Sequence, residues 1–453
     1  MSSSTLPRRL TERSYLIVLA LWLCLVGPTS PSFAADLQPV RFVMDNGLTV
    51  LVLEQHYLPL VHVQALVKVG SAQDPSRQAG LANLASSLLD EGTTSRSSTQ
   101  IAELIDEVGG SLGSHTEEDF TTAYARVLTK DVELGFDLLS DIVRRPAFAD
   151  SEFSRVKNQL LGELVSEQDD PSRIATIAFS KLVYSGHPYH WPVTGTEESL
   201  GTITREDVQH FHTREYLPNQ TILVVVGDIS EARAKALIAK YFASWTRGDI
   251  PARQISSPLP INRPITQLID KDLTQATIML GHLGISRTNP DFYAVTVMNY
   301  ILGAGGFSSR LMNSIRDNQG LAYGVGSHYD ANLLTGSFAV SLQTRNETAR
   351  QAIAAVLKEL RGIRESIVTD QELAEAKAYL TGSFPLRLDT TSKVADLLSF
   401  VEFYGLGLNY FTDYPQSIDR VTKEDVQRTA RQYLDPDHYA LVLVGNLAKA
   451  QIQ

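Results

Sequence analysis

Thr204-Arg-Glu-Asp-Val-Gln209 recurs as Thr422-Lys-Glu-Asp-Val-Gln427. Each copy is followed by a Tyr-Leu pair (Tyr216-Leu217 and Tyr433-Leu434), a proline and an apolar run, Ile222 to Val226 in the first case and Ala440 to Val444 in the second. The runs end in Gly227-Asp228 and Gly445-Asn446, so an offset of about 218 residues is kept throughout. A second pair agrees with it. Asp150-Ser-Glu-Phe-Ser-Arg-Val-Lys157, continuing through Leu160 and Gly162, matches Asp370-Gln-Glu-Leu-Ala-Glu-Ala-Lys377, continuing through Leu380 and Gly382, at an offset of 220. Two separate segments at nearly one offset define an internal repeat, and a repeat sets the architecture before any single element is considered.

Working outward, the chain divides into an N-terminal domain over 35–250, a linker over 251–264 and a C-terminal domain over 265–453. The stretch from Arg247 to Pro264 holds four prolines, as an extended connector does. At 453 residues the chain is long enough for about two to four domains. Within the first half, Val40 to Leu53 around Asp45-Asn46-Gly47 reads as a hairpin, and Val61 to Val69 as a further strand. Helices are predicted over 79–89, 98–108, 131–144 and 150–166, and a late strand over 221–226. Strands at both ends with helices between predict an α+β fold: two homologous domains, each a mainly antiparallel sheet covered by helices on one face.

The N-terminus stands apart. Arg8, Arg9 and Arg13 precede an apolar run from Tyr15 to Val26, then Gly27-Pro28 and the small residues of Ser32-Phe33-Ala34. That is the pattern of a signal peptide cleaved after Ala34, and a run this short falls well below the roughly 20 residues that span a bilayer. Export to a bacterial periplasm is therefore expected. The one cysteine, Cys24, lies inside this leader, so no disulfide is expected in the mature chain. Removing the leader takes away a net +2, moving the formal charge from −11 to −13. An acidic chain lacks the basic face that phosphate backbones need, which argues against a nucleic-acid partner.

Gly80-Leu-Ala-Asn-Leu-Ala-Ser-Ser-Leu-Leu-Asp-Glu-Gly-Thr93 strongly resembles the segment that carries the inverted zinc motif, His-x-x-Glu-His, in insulinase-like metallopeptidases. In that frame the two histidines would fall at Asn83 and Ser87 and the general-base glutamate at Ser86. The third ligand of the family, a later glutamate, matches Glu163, which stands 76 residues after Ser87. Catalytic zinc needs three protein ligands and a base for its bound water. An amide and two hydroxyls supply neither, so Glu163 is a lone remaining ligand position. It reads first as a solvated or salt-bridged helix glutamate.

The C-terminal half resembles the same family at another point. Gly305-Gly-Phe-Ser-Ser-Arg-Leu311, followed by Ile315-Arg-Asp-Asn-Gln-Gly-Leu-Ala-Tyr323, matches the segment whose arginine and tyrosine, seven positions apart, contact bound peptide. Arg316 and Tyr323 hold that spacing. Gly109-Gly-Ser-Leu-Gly-Ser-His-Thr116 resembles the edge strand that takes up extended peptide by strand addition. His187 with His190 and His210 with His212 are the close histidine pairs, and neither has the spacing of a recognised metal site.

The resemblance covers about residues 38–448 and points to the short-chain branch, which includes the mitochondrial processing peptidases and bacterial relatives. There two half-size chains enclose one chamber, one bringing zinc and the other only the Arg/Tyr segment. It implies a subunit without zinc of its own that serves a zinc-bearing homologue in cleaving peptides. The alternative is a structural or peptide-binding subunit with no proteolytic role.

Overall fold

Thr204 and Thr422 do the same work in the two copies of the repeat. Each accepts a hydrogen bond on Oγ1 from the backbone N–H three residues on, Asp207 at 3.2 Å and Asp425 at 3.1 Å. Each aspartate returns the bond to the threonine N–H, at 2.8 and 3.0 Å. This reciprocal cap satisfies two of the donors that every helix start leaves open. The repeat is thus a pair of helix starts, each followed by a buried strand.

The computed structural model describes residues 37–250 and 255–452. The signal peptide assigned to residues 1–34, Cys24 and the first four linker residues lie outside the described residues. In the first half the elements run β1 (Val40–Val43), β2 (Thr49–Glu54), β3 (Leu60–Val67), α1 (Leu81–Ser87), α2 (Ser98–Glu107), β4 (Ser111–Thr116) and β5 (Thr121–Leu128). They continue with α3 (Val132–Arg144), α4 (Asp150–Glu167), α5 (Pro171–Val183), α6 (Glu197–Thr202), α7 (Arg205–Glu215), β6 (Thr221–Gly227) and α8 (Glu231–Phe242). The second half runs β7 (Ile265–Asp270), β8 (Gln275–Leu283), α9 (Phe292–Asn299), β9 (Ala322–Asp330), β10 (Ser337–Arg345), α10 (Ala349–Glu365) and α11 (Asp370–Gly382). It ends with α12 (Thr391–Phe403), α13 (Tyr410–Arg420), α14 (Lys423–Tyr433), β11 (Ala440–Gly445) and the short α15 (Leu447–Ala450). The predicted hairpin, strands and helices of the first half appear within a residue or two at each end, where frayed turns decide the boundary.

The strands form two sheets, ordered β1-β2-β6-β3-β5-β4 and β7-β11-β8-β10-β9. The orders match from β2 and β7 onward. In each sheet the repeated strand pairs in parallel with one neighbour, β6 with β2 and β11 with β7, and the other ladders are antiparallel. Gly47, at φ 87°, turns the first hairpin into this register.

One face of each sheet carries its own half's helices. Leu223 and Val225 of β6 enter the first core with Phe136, Leu139 and Phe211. Leu441 and Leu443 of β11 enter the second with Val356, Leu360 and Ile418. The other face is covered too, by a helix from the opposite half. α5 lays Ala175, Ala178, Phe179 and Val183 on Ala440, Val442 and Val444. α12, which lies 220 residues after α5, crosses the other way onto β3 and β6. There Gln64 Nε2 donates to Ser399 Oγ at 3.0 Å, and Arg41 forks onto Glu402 at 2.9 and 2.8 Å. With both faces covered, β6 and β11 are buried along their whole length, and this is why their sequences do not alternate. No described helix is long and apolar enough to cross a membrane.

Candidate functional site

α1 is started by Asp74, whose carboxylate accepts from the N–H groups of Gly80 and Ala82 at 2.8 Å each. Burial pushes the Asp74 carboxyl up to about 8, against the pull of those N–H groups. Gly80 sits at φ 94°, and a Cβ there would come within 2.9 Å of Gly195 Cα. Leu81, Ala82, Leu84 and Ala85 face the core, which leaves Asn83 and Ser87 half-buried, one turn apart. Ser87 Oγ is spent on the carbonyl of Asn83 at 2.9 Å. Ser86 is 1% exposed, and its Oγ has no hydrogen-bond partner.

β4 runs beside this helix, with Ser114 Oγ donating to the Ser86 carbonyl at 2.8 Å and Thr116 Oγ1 to that of Ala82 at 3.3 Å. It is the last strand of its sheet, as the resemblance implied. Glu163 stands on α4, which packs against α1, but it is exposed and accepts from Gln159 Nε2 at 3.0 Å. This donor set does not fit zinc. It offers a neutral amide, a committed hydroxyl and a buried hydroxyl around one solvated carboxylate, where the metal needs imidazole, thiolate or carboxylate. Among the described residues, no group of three or more His, Cys, Asp or Glu is placed to hold a metal ion.

The second half is built differently at the matching place. After α9 the chain winds into two π-helical turns, Tyr300–Ala304 and Met312–Asp317, a geometry often found at functional sites. Gly303 lets this segment close on β9, where a Cβ would meet Ser327 Oγ at 2.4 Å. Arg310 pins it to α11 by a fork onto Glu372 at 2.6 and 2.9 Å. Leu311 and Ile315 are fully buried. What remains outward is Arg316, its guanidinium 4.9 Å from the Phe307 ring centre and 5.8 Å from that of Tyr323.

Tyr323 is 90% exposed and Phe307 72%. Two large aromatic rings held in water by a cation are unusual for a surface without a partner. Tyr323 opens β9, the edge strand of its sheet. A cavity of about 540 Å³ adjoins it, bounded by Gly324, His328 and Gln343 on the sheet and by Ser172 and Thr176 of α5. Arg316 and Tyr323 thus stand close together on one surface. Phe307, which was not singled out from the sequence, joins them. The signal was an aromatic residue in a glycine-rich loop, where packing seldom requires one.

The histidine pairs are committed elsewhere. His212 Nε2 bonds the Val143 carbonyl at 2.9 Å, and burial holds the imidazole down at about 4. His187 Nδ1 accepts from the Tyr189 N–H at 3.2 Å, and His190 Nδ1 bonds the Lys181 carbonyl at 3.0 Å.

Two related α+β units, each lending one helix to the other's sheet, define a two-domain chain of the metallopeptidase-homologue class. Residues 49–197 match the model of the insulinase family, peptidase family M16, and residues 202–380 that of the peptidase M16 inactive domain. An uncharacterized zinc protease of Mycobacterium tuberculosis is 31% identical over 92% of this chain and 95% of its own length. One from Bacillus subtilis is 28% identical over 89% and 98%. Among solved structures, a peptidase M16 inactive domain from Pseudomonas fluorescens superposes with a TM-score of 0.85 at 29% identity, covering 90% of this chain and 98% of that one. A protease from Helicobacter pylori shares the fold at a TM-score of 0.82, covering 90% and 99%. The chain belongs to the insulinase family, peptidase family M16.

Proposed function

We propose that this chain is an exported, non-catalytic subunit that pairs with a zinc-bearing insulinase-family homologue and lends it Arg316 and Tyr323, so that peptides are cut only by the complex. The observation that carries this reading is the contrast within one chain. Asn83, Ser86 and Ser87 stand where zinc chemistry needs two imidazoles and a base, whereas a half-buried Arg316 is gathered with the exposed rings of Tyr323 and Phe307. In the complex Arg316 clamps a peptide carbonyl and the Tyr323 hydroxyl donates to the oxyanion that forms on attack. β4 offers its free edge to extended peptide. The zinc belongs to the partner.

Mixing the purified chain with a candidate zinc-bearing insulinase-family homologue and a quenched peptide tests this. Cleavage is expected only in the mixture. Arg316→Ala combined with Tyr323→Phe should lower turnover by about 10²- to 10³-fold, the usual effect of losing an oxyanion donor. Full turnover by this chain alone would refute the proposal, and undiminished turnover by the double variant would favour a purely structural subunit.

A further inference from the structure

The C-terminal half holds a cavity of about 690 Å³, away from the Arg316 cluster, between α9, α11, α12 and α13. At its wall lies Arg287, from the loop after β8, only 3% exposed. Its Nη2 donates to the Tyr410 hydroxyl at 3.0 Å, and its Nε has no hydrogen-bond partner. No carboxylate among the described residues pairs with it. Instead the guanidinium lies over aromatic faces, 3.6 Å from the ring centre of Phe292, 5.3 Å from Phe400 and 5.5 Å from Tyr410. Asp141, by contrast, is fully buried and is held by both Arg96 and Arg145.

An isolated buried cation is unfavourable unless an anion or a set of acceptors meets it, and ring faces supply only part of that. Two more cations and one acid make up the rest of the charged lining. Arg387 lies over Phe384 and Tyr414, and Lys393 is held by Asp389 at 2.8 Å. Asp396, the acid in the lining, is exposed on α12. Leu386 and Tyr379 bring apolar surface to the rim and are exposed.

We propose that this cavity binds an aromatic carboxylate, with its ring among Phe292, Phe400 and Tyr410 and its carboxylate on Arg287. A single buried guanidinium with apolar walls matches a monoanion. The free end of a peptide that finishes in an aromatic residue and a small free aromatic acid share this chemistry. The inference does not depend on the role given to Arg316 and Tyr323.

Calorimetric titration of the full chain with N-acetyl-phenylalanine, and with its carboxamide, tests it. The acid is expected to bind one saturable site and the amide at least about tenfold more weakly, because a charge-assisted bond is lost. Arg287→Met should abolish the difference. Ser383→Trp, which fills the mouth and leaves Arg287 in place, should weaken the acid about tenfold, and it decides the matter if the first variant does not fold. No saturable binding, equal binding of acid and amide, or binding untouched by Ser383→Trp would overturn the proposal. A hexapeptide ending in phenylalanine that binds as tightly as the acid identifies a peptide end as the source, and its exclusion identifies a free acid. Peptide cleavage by a complex with a zinc-bearing homologue is unaffected in either case.

Discussion

Asn83, Ser86 and Ser87 lie on the helix that follows β3; Phe307, Arg316 and Tyr323 lie in the stretch that follows β8, the matching strand of the other sheet. The frames around them are alike. Both are clamped to a later helix by an arginine–carboxylate contact: Arg155 of α4 reaches Glu91 just past α1, and Arg310 reaches Glu372 of α11. Yet the first place is spent on internal hydrogen bonds and the second leaves a cation and two rings in water. The frame is set by buried residues and caps, which tolerate little change, and the chemistry by a few outward side chains, which can be exchanged without disturbing it.

The largest effect that could break this comparison is restoration of the missing chemistry. Asn83→His, Ser86→Glu and Ser87→His together, with Glu163 already on the adjoining α4, should give a chain that retains stoichiometric zinc after a chelator wash, measured by elemental analysis. The unaltered chain should retain none. A folded triple variant without zinc would show that the frame around α1 has also been lost, and tightly held zinc in the unaltered chain would remove the contrast altogether.

Much of this frame is legible in the sequence, because a cap and the strand after it are local. Thr204 with Asp207 and Thr422 with Asp425 announce two helix starts whatever surrounds them. Arg316 and Tyr323 could be singled out from the family resemblance of their segment, but their nearness to each other could not. The exchange of α5 and α12 was not read. Its signal was present, for Ile222–Val226 and Ala440–Val444 are apolar without alternation, as strands covered on both faces must be. The pattern says that a second layer exists, not which helix supplies it. Phe307 and Arg287 were missed for a related reason: an exposed ring and a buried cation acquire meaning only from neighbours distant in sequence.

The exchanged helices give the next test in size. Phe179→Ala on α5 should destabilise by about 3–5 kcal/mol and Leu398→Ala on α12 by about 2–5 kcal/mol, since both side chains are fully packed. Because each helix lies on the other half's sheet, each substitution should shift one common unfolding transition. Trp191 and Trp245 stand in the first half, so their fluorescence reports that half while far-ultraviolet dichroism reports both. Coincident urea curves are expected for both variants. Two separate transitions would mean that the halves are stable apart and that the exchange contributes little.

The smallest effect separates the two arginine clamps. Glu372 is raised by burial, but the Arg310 fork and the Thr369 N–H at 2.8 Å outweigh this and hold it down at about 2. Its carboxylate is therefore a source of stability that is present above the ordinary value of 4.5 and lost as the pH falls through about 2. Glu372→Gln should cost about 1–2 kcal/mol at neutral pH after allowing for solvent screening, with the difference from the unaltered chain closing as the pH falls through that window. Glu91→Gln, which removes the clamp of the first half, takes away a contact to an arginine whose side chain is 50% exposed. That change should cost only about 0–1 kcal/mol. Urea midpoints at pH 7 and pH 3 check both. An equal loss at the two positions would mean that the segment carrying Arg316 is held no more firmly than its ligand-free counterpart, and that the contrast between the two halves does not extend to how their outward residues are supported.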